Sequence, residues 1–222
     1  MLSRNAKAAF YMAAGPLMRI SGVAYRYFRA PRKGTVKIHL GSGRTNYIEG
    51  WINVDANIFT GKCDIWADLR NPLPFHSGSV DAAYSHHTIE HLPDLKYHFT
   101  EVYRCLKRGG VYRVGGPNGD SAIAKFIEKD IRWFSSDFPD KRTSIGGRFD
   151  NFVSCRQEHL TILTYSFLEE IMTDAGFTGL RLCKPGEETN YPELFQKCLL
   201  NESESDFDMP HTLIIEGVKP IK

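Results

Sequence analysis

The sequence predicts an α/β protein with a doubly wound, mostly parallel sheet. Short apolar stretches alternate with amphipathic helical stretches along the chain, and glycine turns separate several of them. Strands that alternate with helices form parallel sheets covered on both faces. The 222 residues, of which 42% are hydrophobic and 24% charged, fit one domain with a substantial core.

The spacing of apolar residues predicts each element in turn. The predicted strands are 36–40, 52–55, 63–69, 80–85, 111–114, 180–183 and 212–216. Two helices, 95–107 and 165–175, have apolar residues at helical spacing and end before glycine. An opening basic helical segment, 1–34, is expected to break at Gly15-Pro16, because proline disrupts a helix interior.

A glycine turn between the first two strands is the most informative local pattern. The first strand leads into Gly41-Ser42-Gly43, and the second ends at Asp55. Glycine lets the backbone approach a ligand closely, and an acid at the next strand end can accept from a ribose diol. A dinucleotide site would need a third glycine where Asn46 stands, and a phosphate-binding G-K-[ST] motif is missing. The pattern therefore predicts a nucleoside site that does not bind phosphates.

Two later strand ends extend this predicted site. Asp68 follows the third strand, where its carboxylate can accept from an adenine amino group while Leu69 packs on the ring. The fourth strand ends at Ser85, and its loop is expected to face the same crevice, because ligands bind at the carboxyl ends of parallel strands.

These pieces, in this order, resemble class I S-adenosylmethionine-dependent methyltransferases of the methyltransferase type 11 group. The resemblance covers about residues 35–218. The matching motifs are HLGSG at 39–43, GWINVD at 50–55, ADL at 67–69, PLPF at 72–75, SVD at 79–81, SHHTIEHL at 85–92, LKRGG at 106–110, LEE at 168–170, AGF at 175–177 and HTLII at 211–215.

The resemblance implies a Rossmann-like seven-stranded sheet whose last strand is antiparallel, with residues 35–222 forming the methyltransferase domain. It implies an enzyme of class EC 2.1.1.- with S-adenosyl-L-methionine as cofactor. The cofactor-binding residues would be Gly41, Ser42, Gly43, Asp55, Asp68, Leu69 and Ser85. The sequence looks closest to predicted methyltransferases found alongside surface-polysaccharide biosynthesis enzymes. It departs from the family in one respect, because the eleven residues between Gly43 and Asp55 are too few for the usual helix.

Histidines are the candidate catalytic groups. A hydroxyl acceptor must lose a proton, and histidine titrates near neutral pH. We predict the base among His86, His91 and His159, although His91 also fits a structural role in its loop and His159 a surface position. N-methylation stays open, because it uses the same donor geometry.

The segment 120–154 is expected to cover the acceptor, since connections of such length are usually functional. Its aromatic residues and cations suit a small molecule or glycan carrying phosphate, such as a nucleotide-sugar or a lipid-linked glycan. The alternative for this segment is a solvated loop with incidental charges. The alternative role for Asn118 is to form a turn. No nucleic-acid motif is appended, so we expect no nucleic acid partner. The predicted acceptor-binding residues are His87, Asn118, Arg132 and Arg148, and the further aromatic and cationic residues are Trp133, Phe134, Lys141 and Arg142.

The segment from His87 to His91 also matches H-x-x-E-H, an inverted zinc-protease pattern. On a helix the two histidines would share a face and could bind zinc. The motif follows a strand at once, Pro93 limits any helix, and a third ligand would have to come from elsewhere. We therefore predict no metal.

The charge distribution is uneven. No acidic residue precedes Glu49, whereas the opening stretch is rich in Arg and Lys. This stretch fits either a helix packed on the domain edge or an interfacial helix that touches a membrane through residues 1–33. The alternative function is accordingly a membrane-surface assembly or binding protein with the same fold and little catalysis. Five cysteines without a C-x-x-C pair predict reduced thiols and a cytoplasmic protein, peripheral at the inner membrane surface if the helix is interfacial.

Overall fold

The sheet of this protein has seven strands. The computed structural model describes residues 4–59 and 61–221, without the side chains of residues 4, 5 and 7. The strands are β1 (Lys37–Leu40), β2 (Ile52–Asp55), β3 (Ile65–Trp66), β4 (Val80–His86), β5 (Leu106–Pro117), β6 (Thr178–Cys183) and β7 (Thr212–Val218). Their order is β3-β2-β1-β4-β5-β7-β6, and β7 runs antiparallel to both of its neighbours. The predicted fold class is confirmed.

Helices cover both faces of this sheet. They are α1 (Arg4–Phe28), α2 (Leu95–Cys105), α3 (Gly119–Ile127), α4 (Ile145–Ser154), α5 (Tyr165–Asp174) and α6 (Pro192–Phe195), with 3₁₀ turns at Ile89–His91 and Leu199–Asn201. The main core lies between one sheet face and α2 and α5, where Phe99, Val102, Leu168 and Met172 are buried. Among the described residues, no helix is both long and apolar enough to cross a bilayer.

The first helix does not break at Pro16, so that prediction is wrong. α1 runs through Pro16, which lies on its exposed side. Met18 is 1% exposed, and Gly22 packs against Pro74 and Ala67. Most helix stability in proteins comes from tertiary packing, and here that packing offsets the backbone hydrogen bond that proline cannot make.

The helix that is usual between β1 and β2 is missing, as the short spacing predicts. Within the described residues 41–51 the chain forms only turns. The sheet face beside this stretch is covered instead by α6 and the 3₁₀ turn that follows it. Phe195 and Cys198 bury Trp51 and Tyr84, and the Lys197 Nζ donates to the carbonyl oxygen of Glu49 at 3.1 Å. A segment that is distant in the sequence therefore covers the sheet face that a helix between β1 and β2 usually covers.

A buried ion cluster lies beneath this cover. Arg113 of β5 is 0% exposed and donates to both carboxylate oxygens of Glu202, at 2.8 and 2.6 Å, and to Glu216 at 2.7 Å. Glu216 also accepts from Thr189 and Asn190. Burial raises the pKa of Glu216, but these hydrogen bonds and the Arg113 charge prevail and hold that pKa below its usual range.

The segment 120–154 is folded and has its own small core, which corrects one expectation. Trp133 and Phe134 are 7% and 2% exposed, so they do not offer open stacking surfaces to a sugar. They pack with Phe149 and Phe152 between α3 and α4. Trp133 also stacks on His211 at 4.0 Å, which ties the segment to the chain just before β7.

Candidate functional site

The glycine turn lies at the carboxyl end of β1, where neighbouring strand ends form a crevice. Gly41 has φ +82° and Gly43 has φ +58°, both in the left-handed region that favours glycine. A Cβ at Gly41 would collide with the Thr88 side chain, whose hydroxyl donates to the Gly41 carbonyl at 3.4 Å. The turn thus packs directly against the loop after β4.

Asp55 lies at the end of β2 and braces this turn. Its carboxylate accepts from the backbone N–H groups of Gly43 and Asn57, each at 2.7 Å. A carboxylate offers about four lone-pair sites, so roughly two remain for a ligand. The geometry suits a ribose diol, as the sequence predicts.

Asp68 and Leu69 follow β3 but are engaged within the protein. The Asp68 carboxylate pairs with the Arg70 guanidinium, the shortest contact being 2.7 Å, and also accepts the Arg70 N–H. Arg70 in turn lies over the Tyr11 ring of α1 at 3.7 Å. Leu69 is buried in the main core. The adenine roles of both residues stay predictions.

The two serines of the predicted cofactor set point away from the crevice. Ser42 is fully buried, and its hydroxyl donates to the Lys62 carbonyl at 3.3 Å. The Ser85 hydroxyl shares a hydrogen bond of 2.7 Å with Tyr112, which contacts the His98 Nε2 at 3.0 Å. Both hydroxyls are therefore engaged within the protein, and the cofactor roles of these serines stay predictions.

His86 ends β4 and is 7% exposed. Neither of its ring nitrogens has a hydrogen-bond partner within the described part of the chain. Burial, together with the charges of His87, His39 and Arg113, lowers the pKa of His86 to about 3. It is therefore a neutral ring with unused polar atoms, suited to contacting a ligand. A ring that is hard to protonate is a weak base, and its catalytic role stays a prediction.

The other three histidines lie around Glu90, which the sequence leaves out of the predicted site. Glu90 is 1% exposed, and its Oε1 lies 3.5 Å from the His87 Nδ1 and 3.7 Å from the His91 Nε2. His159 joins them from beyond α4, with its ring 5.1 Å from that of His91. In the sequence, Glu90 could have been identified from the Glu90-His91 pair, which follows β4 after a short loop.

Nearby charges and burial shift the pKa of Glu90 in opposite directions. Burial raises the pKa of Glu90, but the polar contact with His87 and the charges of His87 and His91 lower it below its usual range. Burial is also the main cause that lowers the pKa of His159. The cluster therefore places an ionised carboxylate against three imidazole rings.

The remaining predicted acceptor residues are spread apart. Asn118 caps α3 by accepting the Ser121 N–H at 3.1 Å, which matches its alternative role in forming a turn. Arg148 donates to the carbonyls of Arg142, Ile131 and Phe134 and so fastens its own segment. The Arg132 side chain is 94% exposed. Of this set, only His87 lies at the histidine cluster.

Known proteins share this arrangement of strands. A methyltransferase domain family matches residues 56–114. A S-adenosylmethionine-dependent methyltransferase from Thermotoga maritima, a possible histamine N-methyltransferase, is 18% identical at a TM-score of 0.53, covering 96% of this chain and 95% of its own. A S-adenosylmethionine-dependent methyltransferase from Archaeoglobus fulgidus is 16% identical at 0.52, covering 94% and 99%. Phosphoethanolamine N-methyltransferase 2 of Haemonchus contortus, solved with S-adenosyl-L-methionine, is 17% identical at 0.51, covering 89% and 51%. A search of curated protein sequences gives no match.

The fold is that of S-adenosylmethionine-dependent methyltransferases, as the structural likenesses show. The methyltransferase domain family matches residues 56–114, and one of the similar structures was solved with S-adenosyl-L-methionine. The residues present fit that cofactor, since Gly41 leaves no room for a Cβ, Asp55 has spare lone pairs and His86 has unused nitrogens.

Proposed function

We propose that this protein transfers a methyl group from S-adenosylmethionine to a hydroxyl of a small molecule or glycan. The observation that carries the proposal is the histidine and carboxylate cluster beside the glycine turn. Thr88 contacts Gly41, and Glu90, two residues further on, holds His87 and His91. A proton-accepting group therefore lies next to the cofactor crevice, as an alcohol acceptor requires.

Residues of the crevice would bind the cofactor, and residues of the histidine cluster would accept the acceptor proton. Asp55 would accept hydrogen bonds from the ribose, while Gly41 admits the cofactor to the backbone. When bound, S-adenosylmethionine supplies an activated methyl group, so the protein mainly orients the acceptor. His91 or His159 would take the acceptor proton, because a buried carboxylate such as Glu90 stabilises an adjacent imidazolium.

The acceptor class is argued from similar structures and from exposed charges. Two similar structures are named for small amines, histamine and phosphoethanolamine, which favours a small acceptor and keeps N-methylation as the rival. The exposed cations Lys141 and Arg142 of the segment 120–154 would suit a phosphorylated sugar. The resemblance to proteins encoded near surface-polysaccharide enzymes stays a prediction.

Release of S-adenosylhomocysteine tests the proposal. We expect purified protein to bind S-adenosylmethionine and to release S-adenosylhomocysteine when given a panel of nucleotide-sugars, free glycans and small alcohols. The matched panel contains the corresponding amino sugars and small amines. Turnover confined to the amines would contradict O-methylation, and failure to bind the cofactor by calorimetry would overturn the methyltransferase itself.

A second candidate function, binding at a membrane surface, is favoured by the outward face of α1. Phe28 at its end is 86% exposed, and Arg19 of the same helix is exposed as well. An exposed apolar stripe on a basic helix is typical of interfacial binding. Arg4 and Lys7, counted in the basic stretch, lie outside the described side chains, as do residues 1–3. The exposed apolar residues of this face are Met12, Leu17, Ile20, Val23, Tyr27 and Phe28.

Co-sedimentation with vesicles of anionic phospholipid tests this second function. We expect Ile20→Asp, at a side chain that is 65% exposed, to reduce vesicle binding at least about tenfold, since burying one such side chain contributes roughly 1.5–3 kcal/mol. Leu182→Asp, at a 58% exposed position on β6, is the matched control and should bind as the unaltered protein does. Equal loss in both variants, or no vesicle binding at all, would reject the α1 surface.

A further inference from the structure

The carboxylate of Glu90 is buried without a hydrogen bond. Among the described residues neither Oε1 nor Oε2 has a hydrogen-bond partner, although the side chain is only 1% exposed. It lies against the carboxyl end of β5, where a Cβ on Gly116 would come within 3.0 Å of Oε2. Its recorded ionic contacts are longer than hydrogen bonds normally are, with the His87 Nδ1 at 3.5 Å and the His91 Nε2 at 3.7 Å. Removing an ionised group from water is costly, and buried carboxylates without a hydrogen bond are rare.

Two imidazoles complete a set of donors around this carboxylate. One ligand atom each from Glu90, His91 and His159 all lie within 4.8 Å of one another. Atoms bound to one divalent ion, at bond lengths of about 2.0–2.2 Å, are roughly 3–4 Å apart. Small side-chain rotations would therefore bring all three to bonding distance.

Both histidines are already oriented as metal ligands are. The His91 Nδ1 lies 2.9 Å from the Glu158 carbonyl oxygen, and the His159 Nδ1 lies 3.3 Å from the Val153 carbonyl oxygen. A carbonyl only accepts, so each Nδ1 carries the proton and each Nε2 keeps a free lone pair. Such a hydrogen bond on the far nitrogen is what fixes the tautomer of a metal-binding histidine.

The backbone just before His159 has an unusual conformation. Cys155, Arg156 and Gln157 have φ values of 42°, 60° and 64°, three successive left-handed residues that are not glycine. The next turn is fastened by the Leu160 N–H, which donates to the Glu90 carbonyl at 2.7 Å. Left-handed backbone at such residues is unfavourable, and where it persists it commonly serves a functional site.

We infer that Glu90, His91 and His159 bind a divalent first-row transition metal such as Zn²⁺ or Mn²⁺. Two imidazoles and one carboxylate suit these ions and leave coordination positions open. The side chain of His91 is 42% exposed, so an ion and a further ligand can enter from solvent. The third ligand, which the sequence leaves unidentified, comes from far along the chain.

When bound, the ion would replace His91 or His159 as the group that activates the acceptor of the proposed methylation, because it would occupy the lone pairs with which these rings could accept a proton. An oxygen ligand in an open position has its pKa lowered by the metal, which makes a hydroxyl easier to ionise at neutral pH. This part rests on the proposed function, whereas metal binding does not. The two are therefore tested separately.

Metal binding is measured on the untagged 222-residue protein after it has been stripped with a chelator. Titration with Zn²⁺ by calorimetry, and with Co²⁺ by visible absorption, should show one site of micromolar affinity or tighter. His159→Gln and His91→Gln, both at partly exposed positions, should each weaken binding at least about tenfold. The spectrum of bound Co²⁺ should show d–d bands without an intense thiolate charge-transfer band, because no cysteine belongs to the set of ligands.

His76→Gln is the matched control, since His76 accepts from Arg32 at 3.3 Å on another face of the molecule. It should bind Zn²⁺ as the unaltered protein does. Equal affinity in His159→Gln and the control, or no site in the unaltered protein, would overturn the inference. Binding of S-adenosylhomocysteine to the metal-free protein reports the cofactor crevice alone, so loss of that binding with intact metal binding would contradict only the proposed function.

Discussion

Replacing Asp55 with alanine is expected to weaken S-adenosylhomocysteine binding at least about 100-fold. The carboxylate has about two lone-pair sites left after accepting from Gly43 and Asn57, and the ribose hydroxyls would fill them. Hydrogen bonds to a charged group contribute roughly 1.5–3 kcal/mol each, and about 1.4 kcal/mol corresponds to tenfold in affinity. Isothermal titration calorimetry measures the change directly.

Asp55→Asn separates ribose binding from support of the turn. An amide oxygen can still accept the Gly43 N–H, so the turn should stay in place while one charged acceptor is lost. We expect about a tenfold loss or more. The matched control is Asp81→Asn, where Asp81 pairs with Lys107 at the opposite end of the sheet. An Asp55→Ala protein with unchanged affinity would show that this carboxylate does not hold the cofactor.

Replacing Arg113 with methionine is expected to lower the free energy of unfolding by roughly 3–5 kcal/mol. The change leaves Glu202 and Glu216 buried and charged without their shared cation, and breaking a buried ion pair from one side costs about that much. The loss should extend to the glycine turn, because Glu202 belongs to the chain that covers the sheet beside it. Equilibrium unfolding in urea, followed by tryptophan fluorescence, gives the value.

Arg108→Met is the control on the same strand. Arg108 is exposed, and within the described part of the chain its side chain donates to the Ile221 carbonyl, so its loss should change stability by no more than about 0.5 kcal/mol. Glu202→Gln should cost less than Arg113→Met, because Glu216 still neutralises the arginine. Similar midpoints for Arg113→Met and Arg108→Met would mean that the buried cluster does not stabilise the fold.

The sheet and the glycine turn were predictable because their signals are local. The strand end at Asp55 and the positions of Asp68 after β3 and of the loop after β4 follow from apolar runs and turns, although β3 ends at Trp66, before the predicted residue 69. The short gap after Gly43 correctly excluded a helix. The continuity of α1 through Pro16 was not predictable, since packing at Met18 decides it.

The candidate site was only partly predictable, because several side chains turn the opposite way from their strand-end position. Ser85 points into the core toward Tyr112, and nothing in the local pattern separates its hydroxyl from its backbone. His159 is brought to Glu90 by a stretch of left-handed backbone. The sequence does not predict this conformation, because Cys155 and Arg156 are not glycine. Tertiary contacts made far along the chain set both outcomes.

The replacement of the local helix by α6 has a consequence for synthesis on the ribosome. Chains emerge amino terminus first, and domains fold as their segments become available. The glycine turn and Asp55 emerge well before Phe195 and Cys198, which bury Trp51 and Tyr84. A nascent chain therefore carries a half-covered sheet until α6 has emerged, and the crevice beside the glycine turn matures only after α6 has packed.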